Sequence, residues 1–487
     1  MQLMKQIVFA ARLHEDAPAV AGSGKILSYR MLVKSLAAAV DRVAILGLAG
    51  DRHVSIEVSE PMHQLYLMLA LGLMGIPSAI VSDDGARAAA GPSPALRLTD
   101  SAVGPATMPV DESWFASDPR SSPDYARLLG LMGFTDPGKP ARLMYSSGTT
   151  GIAKCVAFSS RTIQQRLLEN TIIYAGHNAG RGATLNLMGL STISGNQNAL
   201  RTLLSGGLLC LPQGLPAAID MIRMYGVQYV LGSAGHIGGL LRLLVGREPL
   251  NSVRNVYITG ARIPPDMLRE AQAKLSADIY NGYGSTEAGT MAVGTAQLLL
   301  SNPTATGYCI PGVEMQVVDV AGNPLAPDAE GRLRVRTDNL ASYLGSDGEL
   351  IPVGEGGWFY PGDTGRLGRD GLLHISGRVA EMINRGGVIT APEAIEEPFR
   401  RDPRLRDVAA LGVATGSGFE EIWIAIVANE RIDTAVLLQQ SRALLRERSP
   451  DRIFQVQVIP RNQNAKVQRG VLRQQLQAVV AAAARSG

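Results

Sequence analysis

Residues 145–154 read Tyr145-Ser146-Ser147-Gly148-Thr149-Thr150-Gly151-Ile152-Ala153-Lys154. Four Ser/Thr hydroxyls, two glycines and one cation share this short stretch, which follows the apolar run Leu143-Met144-Tyr145, read as a strand end. Glycine lets backbone N–H groups approach an anion, and hydroxyls and an ammonium add donors. The ligand expected for such a loop is a polyphosphate. It is not the common P-loop, in which Ser or Thr follows the lysine; here Cys155 does. The alternative reading is a flexible Ser/Gly/Thr linker. The apolar Val156-Ala157-Phe158 after Lys154 favours phosphate.

The 487 residues exceed one ordinary core and predict two or three domains. A hydrophobic share of 46% against 18% charged excludes a disordered chain. With 5% aromatics and 54 glycines, an α/β protein with many tight turns is expected. A net charge of +3 gives no argument for nucleic-acid binding. Cys155, Cys210 and Cys309 are odd in number and far apart, which fits a reducing, cytoplasmic compartment rather than a disulfide framework. Met1-Gln-Leu-Met-Lys-Gln lacks a secretory leader pattern. Leu65 to Val81 is the most apolar stretch but contains Gly72, Gly75 and Pro77, so a buried helix turning into a core strand is expected, not a membrane span.

Strand and helix patterns alternate through the first 300 residues. Residues 27–47 read as helix, His53 to Val58 as strand, Met62 to Leu73 as helix, Thr184 to Met188 as strand and Asn198 to Leu204 as helix. Such alternation predicts parallel sheet with crossover helices. After about residue 305, short strands between Gly, Asp and Pro turns predict a β-rich subdomain. From about residue 380 helices and strands mix again, as in a small α+β domain. The expected division is 1–379 and 380–487.

Four further islands carry chemistry: Asn281-Gly-Tyr-Gly-Ser-Thr-Glu287, Gly357 to Asp363, Gly371 through Arg378 to Gly386-Gly387, and Asn464-Ala-Lys466-Val-Gln-Arg469. In this order, with the 145–154 loop, they resemble the acyl- and aryl-adenylate-forming superfamily: acyl-CoA synthetases, peptide-synthetase adenylation domains and luciferases. The resemblance runs from about Pro18 to Leu472. It covers the Tyr-Thr-Ser-Gly-Thr-Thr-Gly-x-Pro-Lys signature, a Tyr-Gly-x-Thr-Glu core at 283–287, a Gly-Asp at Asp363, a Gly-Arg at Arg378 and a late lysine at Lys466.

The resemblance implies ATP-dependent activation of a carboxylic acid to an acyl-adenylate, with Mg²⁺, and transfer to CoA or, alternatively, to a carrier-protein thiol. A catalytically weakened nucleotide-binding relative is the third reading. Ser146, Ser147, Gly148, Thr149, Thr150, Gly151 and Lys154 would hold phosphates and Glu287 the Mg²⁺. Thr286 would touch the α-phosphate. Tyr283 would stack on adenine, with Asn281 and the Gly260-Ala261-Arg262 turn along its edge. Asp363 would take the ribose hydroxyls, with Arg378 beside it, and Lys466 would bridge the acid and the α-phosphate. Read alone, Ser285-Thr-Glu looks like a helix start.

The family's acid pocket maps onto Ser191, Thr192, Asn196, Ser233, His236, Gly282, Gly284 and Gly289. No Asp stands where amino-acid adenylation domains hold the α-ammonium, so an aryl or short-to-medium acyl acid is expected. Gly386-Gly387 matches the loop facing the pantetheine tunnel, and Ala380 the hinge about which the family rotates its C-terminal domain. The chain departs from the family at Ala153, Cys155, Ala380, Ile389 and Ala465, mostly in backbone character. Cys155, beside the loop, is a candidate for oxidation or alkylation.

Overall fold

The computed structural model describes residues 3–81, 89–101, 104–118, 120–146, 153–174, 181–385, 388–414, 420–461 and 467–486. Two compact units emerge, one built from Met1–Gly148, Ile152–Val313 and Arg336–Phe359, the other from Glu314–Val335 and Tyr360–Gly487.

The first unit holds two sheets. In the larger, the spatial order is Gly307–Cys309, Gly289–Thr295, Asp278–Ser285, Asn255–Thr259, Tyr229–Ser233, Ala183–Asn186, Leu208–Leu211, Pro18–Gly22 and Lys25–Ser28. From Asp278–Ser285 to Pro18–Gly22 every neighbouring pair is parallel, as the alternating pattern predicts. Parallel strands are buried on both faces and read as apolar runs; Leu208–Leu211 and Tyr229–Ser233 are buried throughout.

The smaller sheet carries the hairpin Pro140–Ser146 with Ala153–Ser159 and, beyond it, the parallel strands Ser78–Ile80, Val54–Glu57 and Leu96–Thr99. Helix Pro61–Leu73 starts where Glu60 accepts the Met62 N–H at 3.2 Å and Pro61 presets φ. It buries Leu65 and Leu67 to Leu73 before turning into Ser78–Ile80. Among the described residues no helix is long and apolar enough to cross a membrane.

His53, at the head of Val54–Glu57, is 4% exposed, and its Nε2 has no hydrogen-bond partner among the described residues. Burial, with Arg52 nearby, pulls its pKa down to about 4. Folding therefore favours neutral imidazole. The associated stability is complete above pH 6.5 and is lost as the pH falls toward 4. The expected loss is about 2 kcal/mol at pH 5 and about 3 at pH 4. Thermal melts across this range should show it, and His53→Leu should flatten the profile; a variant with the same acid slope would refute the assignment.

The second unit begins with an antiparallel β region, including Gly331–Arg336, Asp363–Leu367 and Leu372–Arg378. It continues into a three-stranded sheet, Leu405–Ala414, Glu420–Ala428 and Arg452–Gln455. Helices Pro392–Arg400 and Thr434–Leu445 cover one face through Ile395, Phe399 and Leu437. Helix Arg469–Ser486 covers the other through Leu472 and Leu476.

Candidate functional site

The phosphate-loop candidates Ser147, Gly148, Thr149, Thr150 and Gly151 lie outside the described residues, as do Gly386, Gly387 and Lys466. The strands flanking the loop are paired to its base, with Tyr145 opposite Cys155 and Ser146 opposite Lys154. Strand alternation sends Lys154 outward and Cys155 inward. Lys154 Nζ lies 4.7 Å from the Tyr343 ring centroid. Cys155 is 1% exposed, packed with Ala79, Val81, Leu143 and Leu344, and burial pushes its thiol up to about 12. This corrects the expectation of a reactive cysteine: a buried neutral thiol is a poor nucleophile.

Asp278–Ser285 carries the second island. A Cβ at Gly282 would displace the Tyr257 hydroxyl, and Gly284 is required because one there would strike the Gly289 carbonyl. Ser285-Thr286-Glu287 does not start a helix. It leads into a turn joining antiparallel strands, with Ser285 paired to Gly289 and Ser285 Oγ accepting the Ala288 N–H at 3.1 Å. A buried arginine holds this turn. Arg166, from helix Ser160–Tyr174, donates to the Thr286 carbonyl at 3.0 Å, to the Glu287 carbonyl, and to the Asn339 carbonyl at 2.7 and 3.1 Å. With its backbone fixed, the half-buried Glu287 carboxylate accepts the Tyr343 hydroxyl at 3.2 Å. Lys154, Tyr343 and Glu287 thus form one group.

Asn281 is spent on the backbone. Its Nδ2 donates to the Ile258 and Ala261 carbonyls, and its Oδ1 accepts from Ile263, each at 3.2 Å. It shapes the Gly260-Ala261-Arg262 turn, where Gly260 has φ +84°. Tyr283, half-buried, sits between Gly282 and Gly284 beside a ladder irregularity.

Several acid-pocket candidates act locally. Thr192 caps helix Ile193–Leu204 by accepting the Gly195 N–H. Ser233 and His236 form a capping box: the Ser233 N–H donates to His236 Nδ1 at 3.2 Å, which places the neutral ring's proton on Nε2. Burial lowers the His236 pKa, in keeping with that neutral form. Asn196 faces Met68, to whose sulfur it donates. Ser191 is half-buried just before the cap, and Gly289 has φ +75° where its strand begins.

Helix Ile193–Leu204 turns another face to a narrow cleft, lined by Ser194, Gln197, Asn198 and Arg201 together with Asn255, Tyr257 and Thr290. No motif marks these residues. The signal available in the sequence was their polar i, i+3, i+4, i+7 spacing.

In the second unit, antiparallel register sets Asp363 opposite Arg378, with Arg378 Nε 3.2 Å from Asp363 Oδ1. Asp363 is 5% exposed. The guanidinium fixes how the carboxylate faces. Ala380 is exposed in the single 3₁₀ turn Val379–Glu381.

Residues 100–344 match the family described as AMP-binding enzyme. The chain is 27% identical over 491 residues to a 4-chlorobenzoate–CoA ligase of an Arthrobacter species, covering 93% of this chain and 91% of that one. It is 24% identical over 516 residues to a fatty acid–[acyl-carrier-protein] ligase of Streptomyces coeruleorubidus, covering 97% and 96%. Among solved structures, an o-succinylbenzoate CoA synthetase from Bacillus subtilis, in complex with an acyl-adenylate intermediate, aligns with a TM-score of 0.81 over 96% of this chain and 98% of that one. At 18% identity the likeness is one of fold.

Proposed function

Since the chain belongs to the AMP-binding enzymes, the adenylate-forming family, we propose that it activates a carboxylic acid with ATP and passes the acyl group to the thiol of CoA. The observation that carries this reading is the Thr286-Glu287 turn, fixed from beneath by Arg166 and flanked by Tyr343 and Lys154. The relative from Arthrobacter, named for CoA ligation and matched along nearly its whole length, supports CoA as acceptor.

The chemistry follows from charge. A carboxylate, with a pKa of about 4, is already the nucleophile at neutral pH and needs no general base. Its attack on the α-phosphorus of ATP brings two anions together, and pyrophosphate gathers charge as it leaves. Fixed donors and cations lower that barrier. The loop at 146–151 and Lys154 would take the phosphates, Thr286 the α-phosphate, and Lys466 the acid carboxylate together with the α-phosphate. Tyr283 and the 260–262 turn would hold adenine, Asp363 and Arg378 the ribose.

The residues present fit a magnesium ion. No cage of three or more His, Cys, Asp or Glu exists among the described residues, and Mg²⁺ takes one or two carboxylates with phosphate oxygens and water. Glu287 is such a carboxylate, oriented by Tyr343. Bound there, the ion would neutralise phosphate charge. In the same reading Ala380 is the pivot between residues 1–379 and 380–487, and Gly386-Gly387 faces the pantetheine arm.

The test is acid-dependent pyrophosphate exchange over a broad acid panel, with products formed with CoA or a carrier-protein thiol identified by mass spectrometry. Glu287→Gln should lower the exchange kcat about 10²-fold, and Lys466→Ala should lower it further. Absence of exchange with every acid would falsify the proposal, and a carrier-bound product without acyl-CoA would move the acceptor.

A further inference from the structure

We propose that the acid activated here is elongated and carries a second carboxylate at its far end, received by the side-chain amides of Gln197, Asn198 and Asn255 together with Arg201. This rests on the carboxylate-activating reading and adds the substrate class.

The cleft shows an excess of donors. Gln197 and Asn255 are 7% and 5% exposed. Gln197 Oε1 accepts from Asn170 at 2.8 Å, and Asn198 Oδ1 accepts from Arg201 at 2.9 Å. A guanidinium only donates, so the Asn198 oxygen must be the atom facing it, and the NH₂ group is left over. Gln197 Nε2, Asn198 Nδ2 and Asn255 Nδ2 are all buried without a hydrogen-bond partner among the described residues, and all three residues line this one cleft. Buried donors are ordinarily matched, and three unmatched ones on residues that line one cleft, two from helix Ile193–Leu204 and one from strand Asn255–Thr259, call for an acceptor-rich occupant. Among the described residues no Asp or Glu lines the cleft, whereas Arg201 does. That charge balance favours an anion over a neutral polar group, and a carboxylate offers several acceptor positions.

The topology gives the length. Tyr257 lines the cleft and abuts Gly282, and Thr290 is paired with Gly284, so the near end borders the segment leading to Thr286 and Glu287. The far end is formed where Tyr229 and Asn255 stand side by side in parallel register. From Thr259, beside the nucleotide-edge turn, to Asn255 is four strand residues, roughly 13 Å. Leu231 and Tyr257, which pack in one cluster with Met188, line the stretch between and give it an apolar surface.

The experiment uses the full chain and straight-chain mono- and dicarboxylates of matched length, such as octanoate against suberate. Pyrophosphate exchange and ligand-induced melting shifts are both measured. The expected result is at least a tenfold higher kcat/KM for the dicarboxylate at the fitting length. Asn198→Leu and Arg201→Met should raise KM for suberate at least tenfold more than for octanoate, with kcat for suberate little changed. Exchange that favours the monocarboxylate, or a preference that both variants leave intact, overturns this inference while the ligase reading stands. If no acid supports exchange but suberate still raises the melting temperature and Asn198→Leu removes the rise, the ligase reading fails and the far-end site stands. No exchange and no melting shift with any acid overturns both.

Discussion

Arg166→Met is expected to destabilise the first unit by about 3 kcal/mol and to reduce acid-dependent pyrophosphate exchange at least 10²-fold. Two effects oppose each other. The guanidinium is buried, packs 5.0 Å from the Phe158 ring, and is pulled down to about 10 by burial, with Glu169 and Glu287 opposing the shift. Holding it charged costs about 3 kcal/mol, which a thioether would relieve. Against this stand four charge-assisted bonds to the carbonyls of Thr286, Glu287 and Asn339. Each contributes about 1.5–3 kcal/mol, and the carbonyls left behind have no replacement donor in methionine. The bonds win.

The loss in activity should exceed the loss in stability, because the backbone released is that of the two residues proposed to touch phosphate and metal. Arg166→Lys retains the charge but cannot fork to three carbonyls, so it should fall between. Melting curves and exchange kinetics on the three proteins decide it; a methionine variant with wild-type melting and exchange would show that the turn holds itself.

Arg166 also marks the limit of what the sequence discloses. The crossover alternation is legible because buried parallel strands are apolar runs, and the helices after them carry apolar faces at 3.6 spacing. The same reading places helix Pro392–Arg400. An arginine in a polar helical stretch, by contrast, reads as a solvated cation. Its burial is decided by carbonyls 120 to 173 positions away, which no local pattern encodes.

The helix carrying Gln197 shows a second kind of blindness. Its run of closely spaced apolar residues, Ala199, Leu200, Leu203 and Leu204, follows Asn198, so the sequence reading starts it there, whereas Thr192 caps it at Ile193. The residues left out are the polar ones, Ser194 and Gln197, that line the cleft. Ser285-Thr-Glu misleads because a hydroxyl accepting an N–H three residues on serves a turn as well as a helix cap. Cys155 was decidable: with Lys154 pointing out of a strand, period-two alternation sends the next side chain inward.

Arg469→Met should destabilise the second unit by about 3–5 kcal/mol, the range for breaking a buried charge cluster by removing one partner. Arg469, on the first turn of the Arg469–Ser486 helix, is 11% exposed at its side chain. It is paired with Glu381, with Glu393 at 3.2 Å and with Glu396 at 2.9 Å, and its Nε donates to the Ala410 carbonyl at 3.0 Å. Glu396, 1% exposed, has a second cation in Arg400 and receives the Ala410 N–H, so it survives the substitution best. Glu393 does not: burial already raises its pKa with Arg469 in place, and removing that cation raises it further. A carboxyl whose folded pKa is raised favours folding below its unfolded pKa and loses that contribution as the pH climbs through the folded value. The deficit should therefore be largest at pH 8 and shrink toward pH 5, the opposite slope to that of His53. Glu393→Gln in the Arg469→Met background should recover part of the loss at pH 8, since it removes the stranded charge. A deficit independent of pH, or no recovery in the double variant, would mean that Arg469 contributes packing rather than charge. Because Glu381 adjoins Ala380, the same substitution releases the chain just past the proposed pivot, and acyl transfer should suffer even at temperatures where the unit remains folded.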